Sequence, residues 1–143
     1  MIHLEVTTPE SQIFSGEAES VSLPTSTGEI TILPDHIPLV SIVVPGSLTI
    51  RIKGQEQLLA VTRGVVEVDG KTVRVLVQSA DRAEELEETA IQEAKKRAEN
   101  LQKERHEDVE GFAEATAILE RELARLQVAR RHRSRRSFSN PNP

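Results

Sequence analysis

Val66-Glu67-Val68-Asp69-Gly70-Lys71-Thr72-Val73-Arg74-Val75-Leu76-Val77 decides the fold class of the first half of the chain. Successive side chains of a strand point to opposite faces, so Val73, Val75 and Val77, spaced by Arg74 and Leu76, read as a half-buried strand. Val66 and Val68 flank Glu67 in the same way. Between the two runs, Asp69-Gly70 suits a turn with positive φ, which matches the twist of paired antiparallel strands. The same period of two recurs upstream, in Ile2, Leu4 and Val6 and again in Leu48, Ile50 and Ile52. Turn signals at Ser15-Gly16, Thr27-Gly28, Pro45-Gly46 and Lys53-Gly54 cut the segment into short pieces. Many short strands with closely spaced turns predict an antiparallel sandwich or barrel.

After Gln78 the period changes. Ser79 or Asp81 is a candidate cap for a helix starting near Arg82, with Ala83, Leu86, Ala90, Ala94, Ala98 and Leu101 on one face. The polar stretch from His106 to Gly111 predicts a break. A second stripe follows in Phe112, Ala115, Leu119, Leu123, Leu126 and Ala129. Two helices with a short connection fold back on each other. The expected class is therefore α+β, with a β-sandwich over 1–80, an antiparallel helical hairpin over 81–130 and a basic, disordered tail over 131–143. Alanine seams let helices approach closely but bury little apolar surface, about 0.8 kcal/mol per CH₂-sized group against about 1.5–3 for a leucine. The hairpin is thus expected to be weakly attached.

Composition narrows the function. The chain has 143 residues and a net charge of −5, yet Arg130, Arg131, Arg133, Arg135 and Arg136 stand at its end with no acid among them. It has no Trp, no Tyr and three Phe, so it lacks the stacking platforms of single-strand nucleic-acid binders. It has no Cys, hence no disulfide or thiolate metal site. No Walker loop, GxGxxG or HExxH occurs, and the four histidines have no paired ligand spacing. No cofactor, metal or catalytic residue is expected, and the chain is read as acting by binding partners. Pro34 and Pro38 lack an N–H and exclude a central strand, so they frame an ordered loop that holds His36. His36 reads either as a loop histidine bonded to backbone or as a contact residue on a rigid loop. The acidic body argues against nucleic-acid binding through the arginines alone.

Gly28-Glu29-Ile30-Thr31-Ile32-Leu33-Pro34-Asp35-His36-Ile37-Pro38-Leu39-Val40 closely resembles the ILPxHxPLV region of the epsilon subunits of F-type ATP synthases. Leu4 to Glu10 with Phe14-Ser15-Gly16, Pro45 to Ile50, Arg63 to Val68 and Ala80 to Leu86 resemble further family stretches in the same order. The resemblance spans about residues 2–130, with Arg63 where the family has a glycine. It implies a non-catalytic rotor subunit that couples proton flow through the membrane c-ring to ATP synthesis via the gamma subunit. Such a subunit is peripheral, at the cytoplasmic face of a bacterial plasma membrane, and its helices can extend toward the alpha and beta catalytic subunits and inhibit hydrolysis. By position, Glu29 would face the c-ring, His36 would lie near gamma, and Arg121 and Arg125 would meet acidic surfaces of the catalytic subunits. The family's ATP motif, I/L-D-x-x-R-A, falls on Leu86, Glu87, Glu88, Thr89, Ala90 and Ile91. Glu87 replaces the Asp and Ala90 the phosphate-pairing Arg, so ATP sensing is not expected. A stand-alone interaction module and a nucleic-acid binder remain the alternatives.

Overall fold

A computed structural model describes residues 1–139, with side chains through Ser134. Ten strands come first: β1 Ile2–Thr7, β2 Gln12–Ala18, β3 Ser20–Thr25, β4 Gly28–Ile32, β5 Leu39–Val43, β6 Gly46–Ile52, β7 Gln55–Val61, β8 Gly64–Val68, β9 Thr72–Val77 and β10 Ala80–Arg82. A single 3-10 turn, Ala83–Glu85, leads to α1 Glu88–Glu104 and α2 Val109–Ser139. Hydrogen bonding links the strands in the order β10-β7-β6-β3-β5-β8-β9-β1-β2, with β4 paired to β3. All pairs are antiparallel except β1 with β9. β2 closes back against β6, so the sheet wraps one core in a sandwich.

The alternating residues build that core as the sequence predicts. Leu4, Val6, Leu48, Ile50, Val66, Val73 and Val75 are buried. The turn after β8 uses positive φ at Gly70 alone, while the Asp69 carboxylate accepts the backbone N–H groups of Lys71 and Thr72. Lys53 and Gly54 both take positive φ, the geometry of the tight two-residue hairpin that joins β6 to β7. Pro34 and Pro38 lie in a loop between β4 and β5, as their missing donors require.

The second half departs from the sequence reading in three places. No α-helix starts near Arg82: residues 80–82 add an edge strand beside β7, only a 3-10 turn follows before α1 begins at Glu88, and Asp81 binds α2 arginines instead of capping a helix. The helical break is Arg105–Asp108, and Gly111 lies inside the first turn of α2. A Cβ there would come within 2.6 Å of the Asp108 carboxylate and 2.7 Å of Arg105, so glycine lets the helix start against this tight turn. The expected disordered tail over 131–143 is also corrected, since α2 continues to Ser139, and only residues 140–143 lie outside the described chain. Arg130 and Arg133 both pair with Glu88 of α1, which favours continuing the helix past residue 130.

α2 is buried on two sides. Ala124 and Val128 pack on Leu58, Ala60 and Ala83 of the sandwich side, while Leu126 and Ala129 pack on Ile91 of α1. Phe112 and Leu123, expected in the buried stripe, are exposed, as is Ala90 in α1. Facing both the sheet and α1 rotates the buried sectors of α2 away from the predicted single stripe.

Of the glycines, Gly64 leaves the least room for a side chain. It pairs with Val43 on one side and Val77 on the other, and a Cβ would lie 1.9 Å from the Leu76 carbonyl oxygen. Gly64→Ala is expected to destabilise the sandwich by about 1–3 kcal/mol or more, as overpacking does. Urea unfolding followed by circular dichroism measures this, and an unchanged midpoint contradicts the close packing.

Candidate functional site

Two features outside the core are built for contact. On the outer face of the sandwich, Ile42 of β5 stands opposite Val65 of β8, and Val65 stands opposite Leu76 of β9. Alternation puts their neighbours Val43, Val66, Val75 and Val77 in the core, so these three side chains face outward, 59%, 41% and 50% exposed. Val40 extends the row along β5, and Leu33 and Ile37 of the loop between β4 and β5 are also exposed. A shallow hollow of about 480 Å³, lined by Thr7, Pro9, Val65 and Leu76, adjoins the end of the row. The parallel row beside it is charged: Glu67 pairs in register with Arg74, whose guanidinium reaches Glu5 at 3.7 Å. A contiguous apolar strip with a polar border has the composition of a protein-contact surface.

The second feature joins α2 to the sandwich. Asp81, on edge strand β10, accepts Nε and Nη2 of Arg125 in a two-pronged fork, each at 2.9 Å. Arg121, one helical turn earlier, brings Nε to 3.7 Å of the same carboxylate. Arg125 also donates to Glu122 at 3.2 Å. Burial pushes the Asp81 carboxyl up, but the hydrogen bonds and charge of Arg125, with Arg121 behind, outweigh it and hold the carboxyl below its usual range. A second fork of opposite polarity lies nearby, where Arg63 donates to both oxygens of Glu120, at 3.1 and 2.9 Å. The hydrogen bonding of Arg63 holds the Glu120 carboxyl below its ordinary value. The clasp has flaws as well. Glu122 is buried, and its Oε2 and Arg121 Nε lack hydrogen-bond partners, which costs stability in the closed state.

Of the residues singled out from sequence, Arg121 and Arg125 are brought together at Asp81. Glu29 is exposed on β4, beside the tip of the β3–β4 hairpin. His36 is half-buried and its Nδ1 lies 2.7 Å from the Ile37 carbonyl, the backbone-bonded arrangement of a loop histidine. At the ATP-motif positions, Leu86 is half-buried against both helical clusters, Glu87 and Ala90 are exposed, and Ile91 is buried. Glu88, also in that stretch, is taken up by Arg130 and Arg133. Among the described residues no cluster of three His, Cys, Asp or Glu has metal-ligand geometry. No described helix is long and apolar enough to cross a membrane.

Sequence reasoning missed Asp81, Glu120 and Arg63 as clasp residues and the apolar row as a surface. The row did leave a signal: Val65-Val66 and Val75-Leu76-Val77 break strict alternation, which marks strands apolar on both faces. The clasp left none, because its partners are 44 and 57 residues apart.

The family model described as ATP synthase, Delta/Epsilon chain, beta-sandwich domain matches residues 1–83. A relative described as ATP synthase epsilon chain, from Herminiimonas arsenicoxydans, is 38% identical over 137 residues, covering 94% of this chain and 97% of that one. The fold is similar to a chain of the Euglena gracilis mitochondrial ATP synthase OSCP/F1/c-ring structure, with TM-score 0.70 and 21% identity over 83% of this chain and 75% of that one. A chain of the Tetrahymena thermophila mitochondrial ATP synthase central stalk/c-ring structure aligns with TM-score 0.51 and 18% identity over 59% of this chain and 68% of that one.

The clasp makes its own prediction. A folded-state pKa below the unfolded value means that Asp81 and Glu120 stabilise closure at and above the ordinary carboxyl range, and that this is lost as pH falls below that range through their lowered folded values. At neutral pH, Asp81→Asn leaves two arginines facing a neutral amide and is expected to speed tryptic cleavage within the helices about tenfold. Strands β1–β9 should stay resistant. Cleavage at the wild-type rate contradicts the clasp.

Proposed function

This chain belongs to the ATP synthase delta/epsilon family, as a non-catalytic stalk subunit of that membrane-associated complex, and from this premise we propose that its two halves divide anchoring from regulation. The observation that carries the proposal is the outward apolar row Ile42–Val65–Leu76 on an otherwise well-covered sandwich. Three large side chains in cross-strand register, on strands hydrogen-bonded at both edges, form a rigid strip that gains by burial against a partner. The proposed partner is the gamma subunit, with the Pro34–Pro38 loop and His36 at the border of the contact. Glu29, exposed beside the β3–β4 tip, is the proposed contact with the polar face of the c-ring. The subunit would then lie peripherally at the cytoplasmic face of a bacterial membrane, and the assembled complex would couple ion flow through the ring to ATP synthesis.

The regulatory half is the hairpin. Its attachment rests on small side chains, Ala60, Ala83, Ala124 and Val128 with Leu58, plus the two forks to Asp81 and Glu120. Opening would expose Arg121 and Arg125 together, one turn apart, as a cationic pair free to meet acidic surfaces of the catalytic subunits. The closed and extended states therefore compete for the same guanidiniums, and Asp81 is the competitor inside the chain. ATP is not the proposed signal for opening, because Ala90 offers no group for a phosphate where an arginine would be needed.

One reconstitution tests both halves. With gamma, alpha and beta homologues, wild-type chain is expected to co-purify, and Ile42→Glu/Leu76→Glu is expected to be lost, since a buried unpaired carboxylate at such a strip costs several kcal/mol. In the same assembly, removing residues 84–143 is expected to leave binding intact and raise the ATP hydrolysis rate. Full recovery of the double variant contradicts the docking face, and an unchanged rate contradicts inhibition under those conditions.

A further inference from the structure

The arginine-rich end of α2 takes no part in the clasp or the apolar row. From Leu126 to Pro143 the chain carries Arg130, Arg131, Arg133, Arg135 and Arg136 and no acidic residue, although the whole chain is net negative. α2 has 31 residues and α1 has 17, so α2 is about 20 Å the longer at the helical rise per residue. The overhang is at the C-terminal end. Glu88, the first residue of α1, pairs with both Arg130 and Arg133, and α2 runs on past that level to Ser139. One carboxylate against two guanidiniums leaves this contact net positive. Arg130 and Arg133 remain more than half exposed, and Arg131 reaches the sandwich at Ser47.

The position of this end matters as much as its charge. Arg131 lines a cleft of about 420 Å³ with Glu19, Glu29, Arg51 and Glu56, so the overhang lies on the side of the sandwich that carries the β3–β4 hairpin, and the cleft's own acids leave the net positive charge on the helix end beyond it. In the function proposed above, that hairpin faces the membrane ring. We infer that the arginine-rich end of α2 is a docking surface for anionic phospholipid headgroups, engaged while the hairpin is closed against the sandwich. Planar guanidiniums match phosphate oxygens two at a time, and basic residues close to an anionic bilayer each strengthen binding about fivefold. No described helix is long and apolar enough to cross a membrane, and the proposed contact is electrostatic, at the headgroup level. It also opposes extension of the hairpin, because lifting α2 removes its end from the lipid.

This rests on the ring-facing placement of the β3–β4 hairpin, and the test separates the two. Full-length chain is sedimented with vesicles of phosphatidylglycerol and phosphatidylcholine, or of phosphatidylcholine alone, and its assembly with the gamma and c-ring homologues is measured in parallel. Expected are binding to the anionic vesicles only, its loss at 0.5 M salt on the order of a Debye length of 4 Å, and a hundredfold or greater loss in Arg131→Gln/Arg133→Gln/Arg135→Gln/Arg136→Gln. The matching four-lysine variant should keep binding within several-fold. Equal sedimentation with both vesicle types, none with either, binding retained by the glutamine variant or lost by the lysine variant each overturns the inference. So does tighter binding to duplex DNA than to the anionic vesicles at equal salt. Absent vesicle binding with intact c-ring assembly defeats this inference alone, whereas absent c-ring assembly defeats the ring-facing placement.

Discussion

Strand β7 is buried on both faces, and the arrangement of the molecule follows from that. Leu59 and Val61 point into the sandwich core, and Leu58 and Ala60, on the opposite face, carry α2. One strand is thus both the wall of the β-domain and the mount for the helices. β10 extends the same sheet beyond β7 and sets Asp81 at its edge, where α2 passes. Because the mount is made of alanines and one leucine, its apolar contribution is small, on the order of a few kcal/mol. The ionic forks therefore decide how firmly the helices stay down.

The two forks have opposite polarity across the same border. An acid of the sandwich side holds arginines of α2, and an arginine of the sandwich side holds an acid of α2. This fixes the register of the long helix: a slide by one turn that offered Arg121 to Asp81 would set Thr116 against Arg63. Charge complementarity contributes to specificity of seating more than to raw affinity. Glu122, buried with one oxygen unpaired, keeps that affinity low. A helix seated specifically but weakly is suited to closing and opening reproducibly, which agrees with the division of labour proposed for this stalk subunit.

The strands were legible because one-sided burial writes a period of two into the sequence, and the core from Leu4 to Val77 follows it. The doubly buried Leu58-Leu59-Ala60-Val61 and the outward Val65 and Leu76 carry no such alternation, so which face met helices and which met solvent was open. The helices were legible as two, but their phase was not. α2 serves a sheet and a helix at once, and Phe112, Leu119 and Leu123, which complete a clean stripe on paper, point partly or largely to solvent. Arg121 and Arg125 were picked out by resemblance to the family, yet Asp81 as their partner depended on a long-range approach that no local spacing encodes. The helical stretch past Arg130 was hidden by its composition, since Arg130 and Arg133 are held by Glu88, 42 and 45 residues away in sequence.

The central claim is that the hairpin is a separately opening unit mounted on β7 and held by Asp81. Hydrogen exchange of backbone amides in the full chain at neutral pH tests it most directly. The account predicts that amides of α1 and α2 exchange by a common opening, well before those of β1–β9, and that Asp81→Asn accelerates the helical set while leaving the strands unchanged. Protection that is equally strong across strands and helices, or a uniform acceleration of both by Asp81→Asn, contradicts it.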